Sequence, residues 1–315
     1  MNDLEKLKVG FFGTPDFALK ILEKLKTEKI NIKYVVSQAP KPSGRGQKIQ
    51  YSKVHAWANY NNLKVFTPES SNDKNFIKTI KEIEVDLIIV VAYGHIINEE
   101  ILDIPKLMCI NVHASILPKW RGAAPIQRAI LNGDKKTGIS IMKVERNLDT
   151  GPVLLKESIN ILNTDCSGDL HEKLSKVGSK LIIKAIEEIF HGNYRLSVQN
   201  EKNKTYAKKI KKGETKIKWD CTAEYNHRFI RAFNPWPGAW TYMNQEKKFR
   251  IKILETIIVK DEFSSLKKPG FCSELLIVKC KKNSLKILRL QKEGKRIMNR
   301  NEFMNGFCTK SCMLE

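Results

Sequence analysis

Lys8-Val-Gly-Phe-Phe-Gly-Thr-Pro-Asp-Phe-Ala-Leu-Lys-Ile-Leu-Glu-Lys-Leu25 passes from one hydrophobic period to another. Lys8 to Phe12 is a short apolar run that stops at Gly13-Thr-Pro15. From Asp16 onward Phe17, Leu19, Ile21, Leu22 and Leu25 recur at helical spacing, so the segment predicts strand, turn, helix. Outward from it the alternation continues. Asn31 to Ser37 reads as a second strand, and 38–51 as a loop rich in Pro, Gly and cations. Residues 53–61 and 72–82 read as helices, with a short strand near Lys64-Val-Phe66 between them. Apart from Asp86, Val85 to Ala92 is apolar and mostly β-branched, as a strand covered on both faces of a parallel sheet should be. Further strands are predicted at Met108 to Ala114 and Gly138 to Val144, and a long amphipathic helix over 168–191. The βαβαβ order predicts an α/β fold: a Rossmann-like, doubly wound, mostly parallel sheet over residues 1–191. The first turn, Gly13-Thr-Pro-Asp-Phe-Ala18, lacks the Gly-x-Gly-x-x-Gly spacing that lets a pyrophosphate approach a helix N-terminus, which argues against a nicotinamide dinucleotide.

Residues 192–206 are mostly polar and without period, and read as a linker. Over 207–315 a helix is expected at Thr222 to Ala232. Apolar runs follow at Ala239–Met243, Phe249–Leu254, Glu274–Cys280 and Ser284–Gln291, separated by turn residues, so this part predicts a small, OB-like β-barrel. A length of 315 residues agrees with two domains rather than one core. No run of about 18 uncharged apolar residues occurs and no secretory leader is recognisable, giving the expectation of a cytoplasmic protein. The seven cysteines lack the paired spacing of a zinc site and read as reduced thiols, with no metal expected.

The net charge of +22 is unevenly spread. Residues 1–200 carry 29 Lys and Arg against 22 Asp and Glu, whereas 201–315 carry 27 against 12. A compositional bias toward lysine would raise both parts alike. The asymmetry therefore points to a polyanion held mainly by the C-terminal part.

The chemistry concentrates at Asn111-Val-His-Ala-Ser115, followed by Ile116-Leu-Pro-Lys-Trp-Arg-Gly122. In an extended strand Asn111, His113 and Ser115 would share a face. An amide donor beside a titratable imidazole suits a reaction in which negative charge builds on a carbonyl oxygen while a proton moves nearby, although a satisfied polar strand end would use the same residues.

Phe12-Gly-Thr-Pro-Asp-Phe-Ala18, Pro42-Ser-Gly-Arg-Gly46, Val91-Ala-Tyr-Gly94, Asn111 to Gln127, Leu148-Asp-Thr-Gly151 and Arg231-Ala-Phe-Asn-Pro-Trp-Pro-Gly238 together resemble the methionyl-tRNA formyltransferases, folate-dependent enzymes, along nearly the whole chain. The resemblance implies transfer of a formyl group from 10-formyltetrahydrofolate to the α-amine of methionyl initiator tRNA. It implies Asn111, His113 and Asp149 as the catalytic residues: an amide for the developing oxyanion, an imidazole to move the proton, and a carboxylate to support the imidazolium. Read alone, Asp149-Thr-Gly151 would pass as an ordinary turn. Folate contacts are implied at Ser115, Ile116, Leu117 and Pro118, with main-chain groups at Tyr93 and Gly94. Ala114 and Ile116 stand where the family pattern often has Gly and Leu. The family places an arginine of the 38–51 loop at the acceptor end of the tRNA, which makes Arg45, with Lys41 and Lys48, the candidate for that contact. Lys208, Lys209, Lys211 and Lys212 either track phosphates or form a solvated charge run. Phe233, Trp236 and Trp240 have the chemistry to stack on RNA, but packing in the core or between domains is the preferred reading. A monomer is expected. Two other readings remain at this point: formyl transfer to a small amine such as a nucleotide precursor or amino sugar, and a non-catalytic RNA-binding protein.

Overall fold

A computed structural model describes residues 3–43, 48–261, 263–264, 266–307 and 310–315. The chain divides into two compact units. One comprises Met1–Pro125, Lys136–Asn160 and His171–Lys208; the other comprises Ile126–Lys135, Ile161–Leu170 and Lys209–Glu315. Along the chain come β1 (Lys8–Gly13), α1 (Asp16–Thr27), β2 (Asn31–Val36), β3 (Lys41–Ser43), β4 (Lys48–Gln50), α2 (Lys53–Tyr60), β5 (Val65–Phe66), α3 (Lys74–Glu82), β6 (Leu87–Val91), α4 (Glu99–Leu102), β7 (Met108–His113), α5 (Pro125–Asn132), β8 (Lys136–Lys143), β9 (Val153–Asn160) and α6 (Ser167–Phe190). There follow α7 (Ala223–Phe233), β10 (Ala239–Asn244), β11 (Lys248–Val259), β12 (Phe271–Cys272), β13 (Ile277–Lys279), β14 (Ser284–Lys292), β15 (Ile297–Asn299), α8 (Arg300–Gly306) and β16 (Cys312–Leu314).

Among the described residues of the first unit, seven strands form one sheet in the order β5-β2-β1-β6-β7-β8-β9. The five from β5 to β7 are parallel; β8 runs antiparallel to β7, and the edge strand β9 antiparallel to β8. β6, Leu-Ile-Ile-Val-Val, is buried along its full length with a parallel neighbour on each side, which is why its sequence shows no alternation. Phe76, Ile77 and Ile80 of α3 pack with Phe12, Tyr34, Ile88 and Val90 in one core. The chain winds outward from β1 to β5 on one side and from β6 to β9 on the other. The order thus reverses between β1 and β6, and crevices at such a point, beyond the carboxyl ends of the strands, are where open α/β sheets hold ligands.

In the second unit β11-β10-β16-β12-β13-β14 run side by side, and β14 also pairs with β11 from Ile251↔Lys292 to Val259↔Ser284. Six strands therefore close a barrel, and β15 pairs with the end of β14. Ala239, Thr241 and Met243 point inward in strict alternation, and Phe229, Ile230 and Phe233 of α7 join Ile251, Ile253, Leu285 and Ile287 in the core.

Several elements depart from the sequence reading. β9 was not predicted: after Val153-Leu-Leu155 it continues as Lys-Glu-Ser158, an edge strand without apolar alternation. α4, β15, α8 and β16 are too short to show a period, and α5, two turns long with Ile126, Ala129 and Ile130 on one face, is absent from the sequence reading. The 38–51 loop contains a small antiparallel pair, β3 with β4; Arg45, between them, lies outside the described residues. Segment 192–206 is tied into the first unit, with Ser197 and Val153 exchanging two backbone hydrogen bonds of 2.9 Å. Among the described residues no helix is long and apolar enough to cross a membrane.

Candidate active site

Asn111 and His113 occupy the carboxyl end of β7, where Asn111 pairs with Val90 on one side and Met142 on the other. Strand alternation puts their side chains on one face. Asp149 arrives from the loop after β8, on a backbone with φ of 53°. Its carboxylate meets both of them. Asn111 Nδ2 donates to Oδ1 at 3.3 Å, His113 Nδ1 lies 3.7 Å from Oδ2, and the Gly122 N–H donates to Oδ2 at 2.8 Å. His113 and Asp149 are buried and Asn111 is half-buried. His113 Nε2 stands 2.9 Å from the Trp120 carbonyl oxygen. A carbonyl only accepts, so the ring hydrogen belongs on Nε2, and Nδ1 of the neutral ring carries its lone pair beside the carboxylate.

Ser115 does not continue the polar row. The strand ends at His113, and the turn that follows directs the Ser115 hydroxyl to the Lys119 carbonyl at 2.5 Å. Ser140 of β8 staples that turn: its hydroxyl donates to Ser115 O at 2.7 Å and accepts from Leu117 N–H at 3.1 Å. Leu117 is buried against Met142 and Val153, and its carbonyl accepts from Lys156 Nζ at 2.5 Å; burial lowers the pKa of that ammonium. Ile116 and Pro118 are half-exposed. Tyr93 turns its ring into the core, edge-on to Phe12 at 5.3 Å, and burial raises its hydroxyl to about 12. The Tyr93 carbonyl accepts from Thr14 Oγ1 at 3.0 Å. Gly94 is exposed with φ of 89°. Two neighbouring loops carry large exposed apolar side chains, Ile96 (74% exposed) and Leu148 (63%). An ion pair of 2.9 Å between Arg146 Nε and Glu99 Oε1 joins the second of these loops to the start of α4.

Lys41 lies exposed on β3, and Lys48 begins β4. Lys208, Lys209 and Lys211 are exposed, and Lys212 opens a short 3-10 turn. The barrel presents a second cationic feature that sequence reasoning missed. Trp240 and Tyr242 face outward from β10, half-buried. Arg250 stacks 4.3 Å from the Trp240 ring, Lys248 lies 4.9 Å from that of Tyr242, and Lys216 approaches both rings at 5.8 and 5.9 Å. Trp236 is 71% exposed, whereas Phe233 is in the core. The signal in the sequence was the Trp-x-Tyr alternation with Lys248 and Arg250 across the hairpin.

Two sequence families cover most of the chain: residues 6–186 match the one described as formyl transferase, and residues 209–308 match its C-terminal domain. A Bartonella henselae protein named methionyl-tRNA formyltransferase is 40% identical over 302 residues, covering 95% of this chain and 97% of its own. One of the same name from Thermodesulfovibrio yellowstonii is 42% identical over 299 residues, 94% of each chain. Among solved structures, WlaRD, a sugar 3N-formyl transferase crystallised in the presence of dTDP and 5-N-formyl-THF, superposes with a TM-score of 0.63 at 20% identity, over 92% of this chain and 99% of that one. That likeness is one of fold. With two family matches along the chain and relatives near 40% identity over almost its whole length, the protein belongs to the methionyl-tRNA formyltransferase family.

Proposed function

We propose that the protein transfers the formyl group of 10-formyltetrahydrofolate to the α-amine of methionine esterified to initiator tRNA. The relatives' shared name supports formyl transfer to methionyl-tRNA, and the observation that carries the chemistry is the cluster of Asn111, His113 and Asp149 around one carboxylate. A tetrahydrofolate fits the surroundings. Ile96 and Leu148 offer apolar contacts to a flat ring, and the main chain at Tyr93–Gly94 and the Ser115–Pro118 turn offers polar edges. When bound it supplies an activated formyl carbon.

The residues divide the remaining work. Asn111 donates its amide hydrogen to the carbonyl oxygen as charge builds there, and needs no change of protonation to do so. His113 Nδ1 takes the proton that the attacking amine loses and returns it to the nitrogen that departs, so no net proton is consumed. Asp149 holds the imidazolium between those events. Burial of His113 and Asp149 strengthens both interactions by excluding water. Residues 1–191 serve catalysis and 207–315 hold tRNA, with 192–206 between them. Lys41, Arg45 and Lys48 meet the acceptor end, and Lys208, Lys209, Lys211 and Lys212 follow phosphates. The Trp240–Tyr242 face, ringed by cations, adds the combination of stacking platform and positive charge that RNA binding uses. The protein acts as a cytoplasmic monomer.

The test is a formylation assay with charged initiator tRNA, against free methionine, uncharged tRNA and an amino sugar. The formyl group should appear only on the charged tRNA. Asp149→Asn should lower kcat by roughly two to four orders of magnitude while tRNA still binds; full turnover in Asp149→Asn and in His113→Ala would refute the assigned chemistry.

A further inference from the structure

Gln199 sits in the polar stretch between the last long helix of the first unit and the barrel, yet it is only 6% exposed. Its side-chain amide is fully used. Nε2 donates to the main-chain oxygens of Asp149 at 2.9 Å and Gly151 at 2.7 Å. Oε1 accepts from Arg121 Nε at 3.1 Å and Nη2 at 2.9 Å. The partners fix the orientation of the amide, because a guanidinium only donates and a carbonyl only accepts. Arg121 is itself 1% exposed and is held from its other side by Glu201, at 2.6 Å from Nη2. Thus a buried guanidinium grips one atom of Gln199, and the other end of that amide grips the loop on which Asp149 rides.

That loop needs a grip. Asp149 has φ of 53°, a backbone region that costs a non-glycine residue about 1 kcal/mol or more unless its surroundings enforce it. A Cβ at Gly151 would overlap the Lys143 carbonyl, so the chain passes close to β8 there. Two hydrogen bonds from one amide, to Asp149 O and Gly151 O, hold the Asp149–Thr150 and Gly151–Pro152 peptide groups. The Asp149 carboxylate is thereby presented to Asn111, His113 and Gly122 from a backbone that cannot swing.

We infer that Gln199 is a positioning residue for formyl transfer: anchored by Arg121, it sets the Asp149 loop so that the carboxylate stays within reach of His113 Nδ1. The inference rests on the reading of Asp149 given above. Its chemistry separates cleanly by substitution. Gln199→Glu keeps an acceptor for Arg121 but replaces both N–H donors with an anionic oxygen facing two carbonyl oxygens, which pushes the loop away. Displacements of this kind, under about 1 Å, cost up to about 100-fold in rate.

The experiment is a double-mutant cycle in the full-length protein, by steady-state formylation of charged initiator tRNA with thermal unfolding of each variant alongside. Gln199→Glu should lower kcat about 10- to 100-fold with KM for both substrates within about twofold. In an Asp149→Asn background the same change should cost less than about twofold, since the group it positions is already gone. An equal loss in both backgrounds, a loss confined to KM, or wild-type kcat in Gln199→Glu overturns the inference. Should Gln199→Glu not fold, Gln199→Met, which keeps side-chain length and removes both donors, is read through the same cycle with the same outcomes. Full activity in Asp149→Asn alone sinks the site reading instead, so the two failures are distinguishable.

Discussion

Gly122 shows how narrowly the residues of the site are constrained. Its N–H donates to Asp149 Oδ2, its φ is 116°, and a Cβ there would lie 2.8 Å from the Ala207 carbonyl oxygen. Both the conformation and the space demand glycine. Gly122→Ala should therefore destabilise the protein by about 1–3 kcal/mol, read as a lower urea midpoint, and should lower kcat as the donor to Asp149 moves; an unchanged midpoint would show that the turn has room the structure does not display. At this scale the sequence was informative where local geometry decides. Asn111 and His113 share a face because they are two apart in a strand, and that much is visible in the letters. Ser115 left the row because the strand ends at His113, one residue before the predicted end at Ala114, and a turn follows. Asp149 was identifiable only by resemblance, since Asp-Thr-Gly is also ordinary turn chemistry. Gln199 was not legible at all: its partners Arg121 and Asp149 are far away in sequence, and nothing in a polar, aperiodic stretch announces burial.

At the level of elements, β8 does more than flank β7. Ser140, with no exposed surface, ties the turn 115–117 to β8 through two hydrogen bonds. Ser140→Ala removes the hydroxyl but leaves Leu117 N–H and Ser115 O without that partner, at a cost of roughly 1–3 kcal/mol. If the 115–118 turn contacts folate, kinetics of the variant should show a larger rise in KM for the formyl donor than for methionyl-tRNA; the reverse order would detach the turn from the donor site. α1 was legible because it keeps a helical period along its length, and β1 and β6 because each is an unbroken apolar run bounded by polar or turn residues. β11 was read as ending near Leu254, whereas it runs to Val259. Its register against β14 shifts on both sides of Glu255, an irregularity that breaks the inside-outside alternation a reader relies on. Closure into six strands also depends on β16 and β12, of three and two residues, whose place is set by partners distant in sequence rather than by their own composition.

For the whole molecule, the excess of cations in residues 201–315 was legible as a number, and it suggested a polyanion. Where cations meet aromatic rings was not, because Lys248 and Arg250 reach Trp240 and Tyr242 only once β10 and β11 pair, and Lys216 only through its separate bridge to Trp240. That convergence makes the two contributions to RNA affinity separable. Neutralising phosphates releases counterions, so the logarithm of affinity should fall linearly with the logarithm of salt, and each lost phosphate contact should flatten the slope by roughly 0.7–0.9. Stacking on a ring involves no counterion. In equilibrium binding of initiator tRNA across a salt series, Lys248→Ala should therefore weaken binding at low salt and reduce the slope. Trp240→Leu should weaken binding by about 1–3 kcal/mol if a base stacks there, with the slope unchanged. Folate affinity should respond to neither substitution and little to salt, because its proposed contacts are apolar and main-chain. Should Lys248→Ala leave the slope as it was while Trp240→Leu leaves affinity as it was, tRNA does not use this face, and the cations on it serve only to cover the two rings.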